Sequence, residues 1–197
     1  MGCLPPGRLG VSIRGFCVRY PLPGRLMFGD PAIAQRCARM RKAQKTVLYV
    51  DDSADELFLF HKACQSEGVS FRLKLADGAD VATEYLMGVE GYRDREANPL
   101  PDFVLLDIKM PERDGFEMLK WIRTHPHSSH ITVALYSASI VDKDVLRGFL
   151  TGTTFYIPKS QGMERLRELA SALDECLRSD GKDCARLLNL SIDPKGV

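Results

Sequence analysis

Several side chains of the types that bind metal ions and phosphate lie at the ends of short apolar runs in this sequence. They are Asp51, Asp52, Asp107, Ser137 and Lys159. Three carboxylates placed close together repel one another, so each has a raised pKa unless a cation is present. Mg²⁺ binds one or two carboxylates together with phosphate oxygens, and ammonium and hydroxyl groups also bind phosphate oxygens. If the five side chains meet, they predict one site for a carboxylate, a divalent metal ion and a phosphoryl group.

The elements that would position these residues alternate along the chain. The candidates for strands are residues 46–50, 71–75, 103–106, 131–136 and 154–157. A segment with helical spacing of its apolar residues follows each candidate strand. Five alternating strands and five helices predict an α/β fold with a doubly wound parallel sheet. We expect the flavodoxin-like strand order 2-1-3-4-5, in which functional side chains gather at the carboxyl edge of the sheet.

Simpler interpretations of the same residues remain open at this point. Asp is common in turns after strands, where it accepts hydrogen bonds from nearby backbone N–H groups. Asp51 and Asp52 also precede a predicted helix whose N-cap is Ser53, and acidic residues are favourable at such a position. Lys159 could be an ordinary surface lysine, and Tyr156 could simply fill the core.

Four motifs favour a shared functional site. Residues 46–178 resemble the receiver domain of two-component response regulators, through the stretches VLYVDDS, FVLLDIKMPERDGFEML, VALYSAS and YIPKS. The stretches occur in the family's order and at about its spacing. The matching positions are Asp107 for the phosphoacceptor, Asp51 and Asp52 for the acidic pair, Ser137 and Lys159 for the conserved hydroxyl and lysine, and Tyr156 for the switch aromatic.

The resemblance implies a Mg²⁺-dependent reaction with a sensor histidine kinase. Asp107 would accept the phosphoryl group from a phosphohistidine of the kinase. Asp52, Asp107 and the backbone carbonyl of Lys109 would hold Mg²⁺, with Asp51 acting through water. Beyond self-catalysed phosphoryl transfer and autodephosphorylation, no enzymatic activity is implied.

The resemblance also implies a conformational switch. Ser137 would move towards the new phosphoryl group, Tyr156 would occupy the space it leaves, and the small Ala138 would leave room for attack on the phosphorus. The face built from helix 4, strand 5 and helix 5 would then bind a partner, and a second copy of the chain in a homodimer is one candidate.

Two features refine the resemblance. The long loop 88–101, the LPDFVLLD entry and the lack of an output domain look like single-domain regulators paired with bacterial phytochromes, so a phytochrome-like kinase is the expected partner. The family usually has Lys-Pro after strand 5, whereas this chain has Pro158-Lys159-Ser160. We therefore expect a trans Lys159–Ser160 bond, and the resemblance does not fix the exact position of the lysine side chain.

The ends of the chain differ from its middle. Residues 1–46 contain nine Lys or Arg and one acidic residue, whereas the remainder contains 18 basic and 25 acidic residues. Residues 1–45 form a basic, Pro- and Gly-rich leader. It could be a disordered arm that binds nucleic acid or acidic surfaces, a targeting peptide, or an artefact of a translation start at Met27 or Met40. Residues 179–197 are expected to be a C-terminal tail.

The cysteine spacing and the length of the apolar runs indicate the cellular compartment of the chain. The six cysteines include no CxxC pair, so neither a zinc site nor a disulfide framework is expected. No apolar run is long enough to span a membrane, and we expect a cytoplasmic chain.

Other functional classes fit the sequence less well. A phosphohydrolase with Asp107 as nucleophile, of the haloacid dehalogenase type, would need a second Asp at position 109, which is Lys. A receiver that acts only as an unphosphorylated scaffold would not need Asp51, Asp52, Asp107 and Lys159 together. Nucleic-acid binding is not expected from the folded part, because the residues after 178 are too few for a helix-turn-helix domain, so only the basic residues 1–45 could serve.

Overall fold

The computed structural model describes residues 44–111 and 113–193. The predicted basic leader therefore lies outside the described residues, apart from Gln44 and Lys45. Lys45 contacts the folded domain, because its ammonium is 2.9 Å from Asp102 Oδ1 and 3.4 Å from Asp180 Oδ1.

The core element is a five-stranded parallel sheet. Its strands are β1 (Thr46–Asp51), β2 (Arg72–Asp77), β3 (Phe103–Asp107), β4 (Thr132–Ser137) and β5 (Phe155–Pro158). They lie in the order β2-β1-β3-β4-β5, which confirms the predicted strand order. β5 is an edge strand of the sheet, where the missing N–H group of Pro158 is tolerated.

Helices cover both faces of the sheet. They are α1 (Ala54–Glu67), α2 (Ala79–Met87), α3 (Gly115–Thr124), α4 (Asp142–Thr151), α5 (Met163–Arg178) and α6 (Ala185–Leu190). One hydrophobic cluster includes Phe60 of α1 and Leu173 of α5. The other includes Met118 of α3 and Val145 of α4 on the opposite face. The two clusters explain why β1 and β3 read as unbroken apolar runs, because both of their faces are buried.

Two of the helices that follow site-bearing strands begin with side-chain caps. The hydroxyl of Ser53 accepts a hydrogen bond from the N–H of Glu56 at 3.3 Å, as the sequence predicted for α1. Asp114 does the same for α3, accepting from the N–H of Glu117 at 2.8 Å. These caps fix the loops that leave β1 and β3 at the carboxyl edge.

The C-terminal segment contains a short helix that the sequence did not predict. All five predicted helices are present, and a short sixth helix, α6, lies within the predicted tail, where its Leu187 is fully buried. After α6, the N–H of Ile192 donates to the carbonyl of Tyr156 at 2.8 Å, and the N–H of Tyr156 donates to Ser191 Oγ at 3.0 Å. A six-residue helix has too few turns for a clear apolar period, and tertiary packing stabilises it instead.

The sequence predicted no disulfide framework, but it did not foresee the single disulfide near the C-terminus. Cys176 near the end of α5 and Cys184 just before α6 are joined by a disulfide. The turn between the two helices brings these residues together although they are eight positions apart. A prediction from cellular compartment and overall cysteine pattern has no access to such local geometry.

Within the described part of the chain, every helix is too short or too polar to cross a bilayer.

Candidate acidic site at the carboxyl edge of the sheet

Three carboxylates meet at the carboxyl edge of the sheet, as the sequence predicted. Asp51 ends β1, Asp107 ends β3, and Asp52 begins the loop into α1. One oxygen from each of the three lies within 4.8 Å of the others. Asp51 and Asp107 are buried, whereas Asp52 is exposed. The cluster therefore has a buried floor and an open side towards solvent.

Lys159 reaches this cluster despite the altered Pro-Lys order. Its ammonium is 2.7 Å from Asp51 Oδ2 and 2.9 Å from Asp107 Oδ1. The N–H of Lys159 donates to the carbonyl of Ser137 at 2.7 Å, which continues the pairing of β5 with β4 past Pro158. No cis peptide bond occurs among the described residues, so the Lys159–Ser160 bond is trans as predicted.

The protonation behaviour of Asp107 and Lys159 follows from burial and mutual contact. Burial is the largest influence on Asp107 and raises its pKa, while the hydrogen bond and charge of Lys159 lower it only in part. Burial alone would lower the pKa of Lys159, but its hydrogen bonds to Asp51 and Asp107 and their charges raise it overall. Lys159 is therefore charged at neutral pH and partly neutralises the cluster.

Tyr49 is a contact of this site that sequence reasoning missed. It is fully buried on β1, and its hydroxyl donates a hydrogen bond to Asp51 Oδ2 at 2.6 Å. Burial and the charge of Asp51 raise the pKa of Tyr49, so the hydroxyl stays protonated. A signal existed in the sequence, because alternate residues of a strand share a face and a buried Tyr usually needs a hydrogen-bond partner.

The residues predicted to respond to phosphorylation lie beside the cluster, at the end of β4 and on β5. Ser137 is fully buried, and its hydroxyl accepts a hydrogen bond from the N–H of Ser139 at 3.0 Å. Tyr156 is also fully buried and donates its hydroxyl to the carbonyl of Ser139 at 2.9 Å. Ser139 Oγ donates in turn to Asp144 Oδ2 of α4 at 2.8 Å. Hydrogen bonds therefore connect β4, β5 and α4.

Two other predicted residues flank the acidic cluster. Ala138 and Lys109 are both exposed, in the loops that follow β4 and β3. An open cavity of about 280 Å³ also lies next to Asp52, and Asp77 and Arg113 contribute to its lining. Solvent and a small ligand can therefore approach the acidic cluster from this side.

Gly115 allows α3 to approach the backbone of Asp107 closely. A Cβ atom added to Gly115 would lie 2.2 Å from the carbonyl oxygen of Asp107 and 2.8 Å from Ile108 Cα. The N–H of Gly115 donates to the carbonyl of Ile108 at 2.9 Å. Gly115 therefore fixes the loop between β3 and α3 against the backbone of Asp107.

The donor set suits a hard divalent cation. All three clustered side chains are carboxylates, and no nitrogen or sulfur ligand joins them among the described residues. Such oxygen-only sets bind Mg²⁺ or Mn²⁺ in preference to softer metals. The chemistry of the residues present therefore fits a metal ion of this class.

Comparisons with known proteins agree with this geometry. Residues 47–171 match the family model described as the response regulator receiver domain. Response regulator Rcp1 of Synechocystis sp. is 25% identical over 130 residues, which covers 66% of this chain and 86% of Rcp1. A probable cyclic di-GMP phosphodiesterase of Vibrio cholerae is 34% identical over 127 residues, which covers 64% of this chain but 25% of that protein. The present chain thus spans about a quarter of the Vibrio cholerae protein.

A solved structure of the same kind has a similar fold. The phosphorylated cyanobacterial phytochrome response regulator RcpA superposes with a TM-score of 0.63 and 26% identity, over 70% of this chain and 96% of RcpA. The strand order, the acidic cluster and the family model therefore all indicate the same family, and the family model matches more than half of the sequence. The chain belongs to the response regulator receiver domain family.

Proposed function

We propose that this chain is a phosphorylation-dependent signalling switch whose phosphoacceptor is Asp107. The observation that best supports the proposal is the bridge that Lys159 makes between Asp51 and Asp107, at 2.7 and 2.9 Å. An ammonium group held at the acceptor carboxylate can transfer its contact to the oxygens of an incoming phosphoryl group.

The phosphoryl donor in this proposal is a phosphohistidine of a sensor histidine kinase. A carboxylate oxygen of Asp107 attacks the phosphorus, and the bond between phosphorus and the imidazole nitrogen breaks. Its electron pair stays on the imidazole, and Asp107 becomes an acyl phosphate. The chain contributes mainly by positioning the carboxylate and by offsetting charge through Lys159. Phosphorylation by such a kinase would take place in the cytoplasm.

The metal in this proposal is Mg²⁺. Asp52, Asp107 and the backbone carbonyl of Lys109 would hold it, with Asp51 acting through water. When bound, it would supply positive charge to the phosphoryl oxygens. The proposal rests on the oxygen-only chemistry of the cluster.

The response to phosphorylation in this proposal begins at Ser137. Its buried hydroxyl turns towards the new phosphoryl oxygens and gives up its contact with the N–H of Ser139. Ser139 also accepts from Tyr156 and donates to Asp144, so this movement alters the link between β5 and α4. Local charge thus changes the face formed by α4, β5 and α5.

The surface of α4 supports a partner-binding role for this face. Leu146 and Leu150 are 50% and 80% exposed, and Ile140 and Val141 in the preceding loop and N-cap are also exposed. We propose that a second copy of the chain binds here after phosphorylation.

Sedimentation of the phosphorylated chain should then show a dimer. The Leu150→Ala variant should form a weaker dimer, whereas Leu188→Ala, at an exposed position on α6, should dimerise as the wild type does. A phosphorylated chain that stays monomeric would contradict the homodimer alone.

The experiment that tests the switch is intact-mass measurement after incubation with a small phosphoryl donor, with and without Mg²⁺. We expect one phosphoryl adduct on the wild type that depends on Mg²⁺ and is absent from Asp107→Asn. The control variant is Asp183→Asn, which removes an exposed carboxylate in the turn between α5 and α6, outside the acidic cluster and the cavity beside it. An adduct that persists in Asp107→Asn would show that another residue is the acceptor.

The kinase in this proposal resembles a phytochrome. RcpA is described as a phytochrome response regulator, and Rcp1 is a relative over most of its own length. Phosphotransfer from a set of purified kinases should be fastest from a phytochrome-type kinase. Faster transfer from kinases with unrelated sensors would contradict this part of the proposal without affecting Asp107.

A further inference from the structure

Tyr49 occupies an unusual place for a polar side chain, directly beneath the acidic cluster. It lies in the middle of β1 with no exposed surface. Its ring contacts Phe60 of α1 and Tyr136 of β4, with centroids 5.1 and 6.1 Å away. Its hydroxyl donates to Asp51 Oδ2 at 2.6 Å. Packing on both sides thus fixes the ring and aims the hydroxyl at one carboxylate oxygen.

The contacts of Asp51 show what this hydroxyl contributes. Asp51 Oδ1 accepts a hydrogen bond from the N–H of Ser53 at 3.0 Å. Asp51 Oδ2 accepts two, from Tyr49 at 2.6 Å and from Lys159 at 2.7 Å. Lys159 also contacts Asp107 at 2.9 Å, so its ammonium is shared between two carboxylates. Tyr49 is therefore the partner of Asp51 Oδ2 that is not shared with the phosphoacceptor position.

We propose that Tyr49 is a positioning residue for the acidic site, which holds Asp51 in place when Lys159 turns to the phosphoryl group. This inference rests on the proposed function. When Lys159 leaves Asp51, the tyrosine hydroxyl still satisfies the buried Oδ2 atom. Without Tyr49, the departure of Lys159 would leave that oxygen without a donor, which is costly in a buried site. Lys159 would then stay with Asp51 and be less available at Asp107.

The same contact should matter for metal binding. A carboxylate whose orientation is fixed loses less freedom when it binds a cation or its water, and removal of a group that orients metal ligands typically weakens metal binding by about 10–100-fold. If Tyr49 had only a structural role, the expected result would differ. Its loss would lower the stability of the fold and leave metal affinity unchanged in the folded protein.

The experiment compares Tyr49→Phe with Tyr85→Phe in the full chain. Tyr85 is a matched control, because it is also buried and donates its hydroxyl at 2.6 Å, but to the carbonyl of Pro99 away from the acidic cluster. Calorimetric titration with Mg²⁺, without phosphoryl donor, measures affinity, and thermal unfolding measures stability. We expect about tenfold weaker Mg²⁺ binding for Tyr49→Phe and an unchanged affinity for Tyr85→Phe.

A double-mutant cycle shows whether Tyr49 acts through Asp51. In the Asp51→Ala background, Tyr49→Phe should cause no further loss of Mg²⁺ affinity, because the acceptor of its hydrogen bond is absent. Additive losses would mean that Tyr49 acts on the site by another route, and would overturn the proposed positioning role.

The outcomes separate this inference from the function on which it rests. A wild type that binds Mg²⁺, together with a Tyr49→Phe variant that binds it equally well, would overturn the role of Tyr49 alone. A folded wild type that neither binds Mg²⁺ nor forms the phosphoryl adduct would overturn the proposed function and the role of Tyr49 with it.

Discussion

Burial and charge oppose each other most directly at Asp107. The carboxyl group is almost fully buried, and burial raises its pKa above the ordinary value of 3.8 despite the ammonium of Lys159. Keeping this buried carboxylate ionised lowers the free energy of unfolding of the chain. Buried ionisable groups of this kind are common at functional sites. The measurable consequence is a pH-dependent contribution to unfolding.

We predict that Asp107→Asn stabilises the metal-free chain at neutral pH. The folded state holds the Asp107 proton more tightly than the unfolded state, so the wild type loses stability as pH rises from the unfolded-state pKa through the folded-state pKa. The variant lacks this loss. Urea unfolding in the presence of a chelator should show a gain of up to about 1 kcal/mol at neutral pH. The gain should disappear at about pH 3, where the carboxyl group is protonated in both states.

The control for this measurement is Asp77→Asn at an exposed position, for which we expect a change within about 0.5 kcal/mol. An Asp107→Asn variant that is less stable than the wild type at neutral pH would contradict the prediction. It would mean that the contact with Lys159 outweighs the cost of burying the carboxylate.

Among the secondary-structure elements, the connection from β3 to α3 is the most tightly constrained. α3 begins at Gly115, where an added Cβ would lie 2.2 Å from the Asp107 carbonyl oxygen, so no side chain fits there. The cap from Asp114 and the bond from the N–H of Gly115 to Ile108 hold the same loop from both sides. The position of Asp107 is thus set by how α3 packs.

We predict that Gly115→Ala destabilises the fold and disturbs the acidic site. The new Cβ would lie 2.2 Å from a backbone oxygen, which cannot move aside as a flexible side chain could. Overpacking of this kind costs about 1–3 kcal/mol, and α3 must shift to relieve it. Urea unfolding should show the loss, and Mg²⁺ titration of the folded variant should show weaker binding.

The matched control is Gly91→Ala, because a Cβ at Gly91 meets nothing within 4 Å. Unchanged stability and Mg²⁺ affinity in Gly115→Ala, comparable to this control, would show that the loop tolerates the movement of α3.

Sequence patterns predicted these elements well wherever burial repeats along the chain. Val47–Val50 and Phe103–Leu106 are fully or almost fully buried, so their apolar runs identified β1 and β3 and placed Asp51 and Asp107 at one edge. Sequence patterns did not predict features that depend on a single tertiary contact. Tyr49 reads as one more apolar residue of a strand, α6 has only six residues, and the Cys176–Cys184 pair depends on the turn between two helices.

For the molecule as a whole, chain segments that are not strands contact both edge strands of the sheet. Along β2, Arg72 donates to the carbonyls of Glu96 and Ala97, and Lys74 donates to Asn98, which hold the loop 88–101 against this edge. At the other edge, the segment after α6 bonds to the backbone of Tyr156. Covered edges prevent unwanted pairing of strands between molecules. The β5 cover also connects the C-terminal segment to the proposed switch residue.

We predict that Leu187→Ala uncovers the β5 edge. Leu187 is fully buried and belongs to the cluster formed by α1 and α5, so its truncation should cost about 2–5 kcal/mol if the segment stays docked. If the segment undocks instead, the N–H of Tyr156 loses its bond to Ser191 Oγ and exchanges with solvent faster.

Leu188→Ala is the control, because Leu188 is adjacent but 59% exposed. Hydrogen exchange with unchanged Tyr156 protection and unchanged stability in Leu187→Ala would show that α6 does not hold this edge. Faster exchange confined to Leu187→Ala would show that the burial of one leucine on α6 keeps the β5 edge covered at Tyr156.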